Sequence, residues 1–474
     1  MYHDLREWLE QAEAMGQLEV ARGAHWNLEI GTITELVHRQ RNKPAILFDD
    51  IPDYPPGYRV LVNTLGSNDR IALTWGLPRG LSSMELKEAL RERYKTLEPV
   101  KPVVVKDGPV MENVITGDQV DVLRFPAPFW HEHDGGRYIG TGSVDITRDP
   151  EEDWVNLGTY RVMVMDRTHL GFYISPGQHG RIHRDKYMAA DKPMPVVVCC
   201  GHDPVIFIVG SSELPYGLSE YEVAGGIKGK PIEVINAPLT GLPIPATAEL
   251  VFEGFVTPGE TRMEGPFGEW TGYYASGTRP EPIIEVKAIY HRNNPIILAS
   301  PPSKPPTEYT FYTSPLRSIL MEDQLAKAGI PDVRGVWTHE AGGSRLFHVV
   351  SIKQRYPGHA KQAAMVTAFC GSGNFHGRFT VVVDDDIDPS DLNEVIWAMC
   401  TRVDPARDID IVHDCRSSPL DPIIPIEDKG LSPRAIINAC RPTKWMDSFP
   451  KVVGASPELV AKTVAKWNGL IYGK

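Results

Sequence analysis

No uninterrupted apolar stretch of this 474-residue chain approaches the roughly 20 residues that a membrane-spanning helix needs. The first six residues, Met-Tyr-His-Asp-Leu-Arg, include two charged side chains and lead into no apolar segment, so we do not expect a signal peptide. The sequence therefore predicts a cytoplasmic protein without a membrane span.

Positive charge is also in short supply. Lysine and arginine together number 49, against 61 aspartates and glutamates, and the net charge is -12. Nucleic-acid phosphates require clustered basic side chains, so no nucleic-acid partner is expected. An anionic small molecule is still possible, because one arginine or one bound metal can reverse the sign of the charge locally.

Cysteine is scarce, and the common catalytic signatures are missing. The six cysteines form no C-x-x-C pair and mostly lie in apolar runs, which indicates buried thiols and a reducing compartment. The chain contains no H-E-x-x-H, G-x-S-x-G or G-x-x-x-x-G-K-[ST] motif. Gly140-Thr141-Gly142 lacks the third glycine of a dinucleotide fingerprint, so a Rossmann NAD site is not expected.

Glycine and proline are plentiful, with 42 and 41 residues, which favours many short strands and turns over a helical bundle. Near the N-terminus, Ser82 and Glu85 have the spacing of a capping box that opens a helix. From about residue 103 to residue 298, short β-rich runs predict an antiparallel sheet or a small barrel. We include among these strands residues 161–165, 196–200 and 205–209.

The last third of the chain alternates strands and helices again, after a proline-rich linker at residues 301–306. Here Ser390 is predicted to cap a helix that ends near residue 401, and residues 459–470 suit a final helix. At about 150 residues per domain, the length predicts two or three domains. We predict an α+β protein divided at 1–110, 111–305 and 306–440, with a tail helix in 441–474.

Two carboxylates stand out in Glu264-Gly265-Pro266-Phe267-Gly268-Glu269. On a regular strand, residues five positions apart face opposite sides, but the glycines and the proline predict a bend that brings both carboxylates into one pocket. Burial beside Phe267 and Trp270 would raise the pKa of a glutamate, which suits a proton donor. The alternative is a loop with two solvated carboxylates.

The segment Asn156-Leu157-Gly158-Thr159-Tyr160-Arg161 leads directly into a predicted strand. Glycine and threonine ahead of a strand allow the backbone to approach a phosphate or a ring closely. Arg161 would then lie at the mouth of the sheet, where its guanidinium can bind a carboxylate through two parallel hydrogen bonds. The alternative is a structural arginine paired with a surface acid.

Further polar residues are candidates for a metal site. His179 lies between glycines in a predicted loop, and Glu220 opens a predicted helix. With Asn156, these residues supply two oxygen donors and one nitrogen donor, a set that suits Mn²⁺ or Mg²⁺ better than Zn²⁺. Their spacing in the sequence does not by itself select this trio. His131 and His133 form an H-x-H that fits either zinc or a polar turn. Residues 384–386 are three aspartates, which we interpret as a solvated turn.

Taken together, these motifs resemble the UbiD-type decarboxylases, the group that includes the ferulic acid decarboxylases. The resemblance runs over nearly the whole chain, and the motifs occur in family order. Besides those already described, its anchors are Gln178-His179, Ser219-Glu220, residues 246–254, residues 356–361 and residues 385–388. The resemblance implies an N-terminal α/β portion, a split β-barrel flavin-binding domain and a C-terminal α/β oligomerisation domain, in a homodimer or homohexamer.

The same resemblance implies a prenylated FMN cofactor, supplied by a flavin prenyltransferase. It implies that Mn²⁺, or another divalent metal, is bound by Asn156, His179 and Glu220, with K⁺ near the carbonyls of residues 209–212. Cofactor contacts are expected from Asn156, Thr159, Tyr160, Arg161, Gln178 and His179. Glu264, Arg161 and Glu269 match the catalytic Glu-Arg-Glu set of the family, in which Glu264 orients Arg161, Arg161 holds the leaving carboxylate and Glu269 protonates the carbon.

The implied reaction is reversible, non-oxidative decarboxylation of an aromatic, heteroaromatic or α,β-unsaturated acid. Several residues depart from the ferulic acid branch: Trp270 after Glu269, Ser175, Ser418 and His376 near the expected pocket, and no basic residue near Ser372. These differences leave cinnamate-type acids no better supported than other aryl acids. Two alternatives remain at this point, an FMN-dependent oxidoreductase on a similar barrel and a non-catalytic cofactor carrier.

Overall fold

The computed structural model of the protein describes residues 1–40, 43–373 and 375–471. Its α-helices are α1 Leu5–Ala14, α2 Glu29–His38, α3 Asn68–Trp75, α4 Ser83–Lys95, α5 His179–Ala189, α6 Pro204–Gly210, α7 Glu220–Lys228, α8 Glu308–Lys327, α9 His359–Phe369, α10 Leu392–Arg402 and α11 Pro457–Ile471. Its strands in the first half are β1 Leu18–Arg22, β2 Ala45–Asp49, β3 Arg59–Val62, β4 Val103–Val104, β5 Asn113–Thr116, β6 Tyr138–Gly140, β7 Val144–Arg148, β8 Val155–Gly158, β9 Arg161–Val164, β10 His169–Tyr173 and β11 Met194–Cys199. Those that follow are β12 Glu233–Asn236, β13 Pro243–Pro245, β14 Leu250–Glu264, β15 Arg279–His291, β16 Ile296–Ala299, β17 Val333–Thr338, β18 Phe347–Ile352, β19 Phe379–Asp384, β20 Ile409–Arg416 and β21 Leu431–Ala439.

The central feature is a large antiparallel sheet that curls into a half-barrel. Its strand order is β6-β9-β10-β15-β14-β11-β7-β8, and β5 also pairs with β15. The predicted antiparallel sheet is therefore confirmed. Strands β14 and β15 are its longest members, and two register shifts interrupt their pairing, one after Glu253 and one after Val256.

Two smaller α/β units flank this sheet. The first is a four-stranded sheet with the order β1-β2-β3-β16. Its strands β1 to β3 come from the N-terminal part, and β16, from far along the chain, pairs in parallel with β3. In the second, the order is β17-β18-β19-β21-β20, with helix α9 packed on one face and α10 on the other. The mixed α+β class agrees with the prediction.

Helix α6 corrects one prediction, because residues 205–209 are helical and not a strand. The carboxylate of Asp203 accepts a hydrogen bond from the Val205 N–H at 2.9 Å, and Pro204 occupies the first turn. All residues from Pro204 to Val209 are buried. A helix buried on every side has no amphipathic period, and its β-branched residues then favour a strand in sequence-based prediction.

Near the C-terminus, one smaller prediction is wrong and another holds only in part. Helix α10 is capped by Asp391, whose carboxylate accepts from the Asn393 N–H at 2.8 Å, and not by Ser390. Asp385 and Asp386 lie in an exposed turn as predicted. Asp384 instead ends β19, where its buried side chain pairs with Arg402 at 3.0 Å. The capping box of Ser82 and Glu85 is confirmed at the start of α4.

The cysteine prediction largely holds. Cys199, Cys200, Cys415 and Cys440 are buried free thiols, whereas Cys400 is exposed. Across the residues that the structure describes, no helix combines the length and apolar character needed to cross a membrane.

Candidate active site

Arg161 and Glu264 meet across the surface of the central sheet. Arg161 begins β9 and lies opposite Tyr173 of β10, while Glu264 ends β14 and lies opposite Arg279 of β15. The side chain of Glu264 passes over β10 at Gly171, where a Cβ atom would lie 3.5 Å from Glu264 Cγ. The antiparallel pairing of β9, β10, β15 and β14 thus brings together two residues that are 103 positions apart in the sequence.

Arg161 lies between the two predicted carboxylates. Its Nε and Nη2 groups donate to the two oxygens of Glu264 at 2.9 and 2.7 Å, and its Nη1 donates to Glu269 Oε1 at 3.1 Å. The Arg161 and Glu264 side chains are 9% and 0% exposed. Such a buried, two-bonded pair fixes the plane of the guanidinium. The alternative of two solvated carboxylates in a loop is wrong.

Three aromatic side chains hold this arrangement in place, and two of them, Tyr138 and Tyr173, could not be identified from the sequence. Tyr138 Oη donates to Glu264 Oε1 at 2.8 Å, and the Tyr138 ring stacks on Phe267 with 3.9 Å between centroids. The Arg161 guanidinium lies 4.4 Å from the centre of the Tyr173 ring. Their contacts depend on strand neighbours, so no local spacing in the sequence could have identified Tyr138 or Tyr173.

The predicted bend between the glutamates is confirmed. Gly265 has a φ of 83°, a backbone conformation that favours glycine. The bend packs against Gly135, whose N–H donates to the Pro266 carbonyl at 2.7 Å. A Cβ on Gly135 would lie only 2.0 Å from the Gly265 carbonyl oxygen. Residues 131–136 and 264–269, which are far apart in the sequence, are therefore in direct contact.

The environment of Glu269 suits a proton donor. Burial raises the pKa of this carboxyl to about 7, although the nearby Arg161 and Arg279 guanidiniums oppose the shift. Burial disfavours the charge on Arg161, but Glu264 outweighs it and raises the pKa of Arg161 above its ordinary value. Near neutral pH the pair therefore combines a permanent cation with an acid that can give up its proton.

A cavity of about 390 Å³ opens beside Glu269. Its wall includes Tyr273 and Tyr274 from the segment after the glutamate, and Lys304 from the proline-rich stretch predicted as a linker. That stretch is thus part of the site's surroundings. His131 and His133 also line the cavity, but the described residues contain no group of three His, Cys, Asp or Glu side chains placed to hold a metal, so zinc gains no support there.

The three predicted metal ligands gather around the end of β8. Asn156 Nδ2 donates to Tyr160 Oη at 3.2 Å, and the same oxygen accepts from the Gly180 N–H at 3.0 Å. Glu220 Oε2 accepts from the Leu157 N–H at 2.9 Å. Burial raises the pKa of the Glu220 carboxyl to about 7, and hydrogen bonds from the backbone N–H groups of Leu157 and Glu220 only partly oppose this shift. These residues fit a divalent cation.

The remaining predicted cofactor residues lie in the same region. The sequence predicts a loop at His179, but this residue is the first of helix α5, and Gln178 precedes it as the N-cap. The His179 ring lies 5.1 Å from the Trp154 ring, and burial lowers its pKa, so the imidazole is neutral as metal binding requires. The Thr159 N–H donates to the Gly210 carbonyl at 3.1 Å, which joins this segment to the end of α6.

Comparison with known proteins places the chain in a family. Models of the N-terminal, Rift-related and C-terminal domains of 3-octaprenyl-4-hydroxybenzoate carboxy-lyase match residues 9–90, 101–305 and 310–439. The pyrrole-2-carboxylic acid decarboxylase of Pseudomonas aeruginosa is 34% identical over 93% of this chain and 92% of its own length. The chain belongs to the UbiD family of decarboxylases, which are carboxy-lyases.

Solved structures agree with this assignment. The vanillic acid decarboxylase of Sedimentibacter hydroxybenzoicus in its open form has a TM-score of 0.87 and 31% identity, covering 98% of this chain and 99% of the other. The UbiD-class enzyme HmfF from Pelotomaculum thermopropionicum, in complex with FMN, has a TM-score of 0.86 and 28% identity over 98% and 100% of the two chains. The family and decarboxylase predictions are thereby confirmed, and the oxidoreductase and carrier alternatives are wrong.

Proposed function

We propose that this protein catalyses reversible, non-oxidative decarboxylation of an aromatic, heteroaromatic or α,β-unsaturated carboxylic acid, with prenylated FMN as the cofactor. The observation that carries the proposal is the Glu264, Arg161 and Glu269 arrangement, in which a buried acid with a pKa of about 7 adjoins a fixed guanidinium. Relatives named for pyrrole-2-carboxylic and phenolic acids support the substrate class. HmfF also has a structure in complex with prFMN, at 26% identity and a TM-score of 0.82 over 98% of this chain and all of the other.

The cofactor would lie on the half-barrel, which we interpret as the split β-barrel flavin domain. Asn156, Thr159, Tyr160, Arg161, Gln178 and His179 would contact it. Asn156, His179 and Glu220 would hold Mn²⁺, or another divalent metal, against its phosphate. The clustering of these three residues and the buried carboxyl of Glu220 support this placement. A K⁺ ion near the carbonyls of residues 209–212 is proposed from the family resemblance.

When bound, the modified flavin supplies the electron sink that no amino-acid side chain offers for loss of CO₂ from an sp² carbon. Within the described residues, Arg161 donates three of its five N–H groups to the two glutamates. The other two N–H groups can bind a substrate carboxylate. Glu264 keeps Arg161 in that orientation. Glu269 gives its proton to the carbon that CO₂ has left, and in the reverse direction takes it back.

The remaining parts of the proposal concern assembly. Residues 111–305 would form the flavin domain between an N-terminal portion, residues 1–110, and a C-terminal oligomerisation domain at 306–440, with residues 441–474 as a tail. The chain would form a homodimer or homohexamer in the cytoplasm and receive its cofactor from a flavin prenyltransferase. Light scattering after size-exclusion chromatography measures the oligomer size directly.

The decisive experiment replaces Glu269 by glutamine in protein purified from a host that makes the prenylated cofactor. We expect Glu269→Gln to retain flavin absorbance and to lose at least about a hundredfold in CO₂ release, because the proton donor is gone while the shape remains. Glu260→Gln, an exposed position on the same strand β14, is the matched control and should leave turnover intact. Full activity in Glu269→Gln would remove this residue from the mechanism.

A further inference from the structure

The proposed proton donor, Glu269, lies on a loop. Residues 265–278, all of which the structure describes, connect β14 with β15 without forming a helix or a strand, and we call them the Glu269 loop. Among the described residues, the Glu269 side chain accepts one hydrogen bond, from Arg161 at 3.1 Å, whereas Glu264 accepts two from the same guanidinium. The position of the Glu269 carboxyl therefore depends on how the backbone of its loop is held.

The backbone next to Glu269 folds into a tight turn. The Glu269 N–H donates to the Tyr273 carbonyl at 3.0 Å, and the Gly272 N–H donates to the Glu269 carbonyl at 2.8 Å. Gly272 has a φ of 82°, a conformation that the turn requires and that favours glycine. A displacement of Tyr273, or of Tyr274 directly after it, is therefore passed on to Glu269.

Tyr274 is held by a buried carboxylate. Its hydroxyl donates to Asp134 Oδ1 at 3.0 Å, and the side chain of Asp134 is 0% exposed. Burial and the neighbouring Asp134 carboxylate raise the pKa of Tyr274, so the phenol keeps its proton and acts as the donor. A hydrogen bond to a charged group is shorter and stronger than one between neutral groups. This contact therefore fixes Tyr274 although the edge of its ring reaches solvent.

Asp134 is in turn fixed within the segment 131–136. Its Oδ2 accepts from the His131 N–H at 3.0 Å, and its own N–H donates to the His131 carbonyl at 3.0 Å. The next residue, Gly135, donates to the Pro266 carbonyl, near the start of the Glu269 loop. Two consecutive residues, Asp134 and Gly135, thus hold the loop on both sides of Glu269.

The contacts of Trp270, directly after Glu269, are of a different kind. Its ring lies 5.0 Å from the His376 ring and 5.4 Å from the Arg345 guanidinium. Ring contacts of this kind tolerate a range of geometries, whereas a hydrogen bond weakens steeply when it is misaligned. The precise position of Glu269 therefore depends more on the contact between Asp134 and Tyr274 than on the packing of Trp270.

We propose that Asp134 and Tyr274 are positioning residues for the proton donor. Their hydrogen bond fixes the Glu269 loop and keeps the Glu269 carboxyl beside Arg161, where the carbon that loses CO₂ must be protonated. This inference rests on the proposed function and adds two residues to the machinery of the same site. It also gives the segment 131–136, whose H-x-H spacing first suggested zinc, a role in catalysis through Asp134.

The first measurement is hydrogen–deuterium exchange of the cofactor-loaded enzyme, read by mass spectrometry in peptides that span residues 266–274. In Tyr274→Phe we expect the amides of Glu269 and Gly272 to exchange about tenfold faster, the effect of losing one hydrogen bond. The matched control is Tyr356→Phe. Tyr356 is 39% exposed, against 38% for Tyr274, and its hydroxyl also donates one hydrogen bond, to Gln362 at 2.7 Å. The control should leave this exchange unchanged.

The second measurement is CO₂ release by the same proteins from pyrrole-2-carboxylate and from vanillate. We expect Tyr274→Phe to lose about tenfold in kcat, because small displacements of a reacting group have effects of this size or larger. KM should change by less than about twofold, since Arg161 remains paired with Glu264. Asp134→Asn should act in the same direction, because asparagine keeps one acceptor oxygen for the two donors, His131 N–H and Tyr274 Oη.

Three results would overturn the inference: unchanged exchange in both Tyr274→Phe and Asp134→Asn, faster exchange with an unchanged kcat, or a higher KM at constant kcat. If one of the two variants does not fold, the other decides the question. Absence of CO₂ release by the parent enzyme from either acid would count against the proposed decarboxylation itself, while the exchange measurement would still show whether Asp134 and Tyr274 fix the Glu269 loop.

Discussion

At Glu269, burial and a neighbouring cation act in opposite directions on one carboxyl group. Burial raises its pKa, the Arg161 and Arg279 guanidiniums lower it, and the result is about 7. The sequence placed Phe267 and Trp270 beside this residue and so predicted the direction of the shift. It could not predict the opposing effect of Arg279, which comes from the next strand, β15, and approaches only in the folded sheet.

This pKa predicts the pH dependence of decarboxylation. The protonated form of Glu269 is the one that donates, so kcat/KM should be level below about pH 7 and fall about tenfold per pH unit above it. The measurement is a pH profile of CO₂ release at low substrate concentration, in buffers of constant ionic strength. A profile that remains level well above neutrality would show that Glu269 is not the donor.

At the scale of single elements, helix α6 depends on Asp203. This carboxylate caps the helix, accepts a hydrogen bond from Tyr2 Oη at 2.6 Å and pairs with Lys228 Nζ at 2.5 Å. The Lys228 side chain is 1% exposed and the Asp203 side chain 6%. The sequence alone predicts a strand here, because the partners of Asp203 lie far away along the chain. Lys228 is 25 residues from Asp203 and Tyr2 is 201 residues away.

The variant Asp203→Asn should lower the free energy of unfolding by about 3 kcal/mol, because it leaves the ammonium of Lys228 buried without a counter-charge. The melting temperature, measured by calorimetry, reports the loss. The comparison is Ser82→Ala at the exposed cap of α4, for which about 1 kcal/mol is expected. Equal losses in the two variants would show that the buried pair adds nothing beyond helix capping.

At the scale of the whole molecule, charged side chains join the N-terminal and C-terminal parts. Lys87 of α4 is fully buried and lies 2.5 Å from Glu322 of α8, which also binds Arg91 at 2.8 Å. Helix α8 also carries Arg317, whose Nη2 lies 2.6 Å from the carboxylate of Glu213 in the central part of the chain. The position of α8 is therefore fixed by charged contacts to both preceding parts.

Replacing this shared carboxylate, Glu322→Gln, should lower the free energy of unfolding by about 2 kcal/mol. Among the residues that the structure describes, Lys87 then keeps only the half-exposed Glu88 as its counter-charge. The change is measured as a lower melting temperature. Glu92→Gln, which breaks the exposed pair with Lys95, is the matched control and should have almost no effect. If both variants melt alike, the contact between α4 and α8 does not stabilise the protein.

What the sequence determined by itself was the set of candidate catalytic groups and the bend that joins two of them. The bend between Glu264 and Glu269 and the position of Arg161 at the start of a strand depend on short-range patterns of glycine, proline and polar residues. Such patterns act through local backbone geometry, which a sequence carries directly. The trio Asn156, His179 and Glu220 follows only from the family resemblance. The family order of the motifs then indicated the decarboxylase class, which the comparisons confirmed.

Only the tertiary structure decided how these groups are paired. The contact of Arg161 with Glu264 crosses three strand pairings, Tyr138 and Tyr173 enter from neighbouring strands, and Arg317 and Arg345 meet at Glu213 from distant parts of the chain. The sequence has no basic residue near Ser372, yet folding brings Arg345 to within 5.4 Å of the centre of the Trp270 ring. Long-range pairing depends on strand register and packing, which no local window of sequence contains.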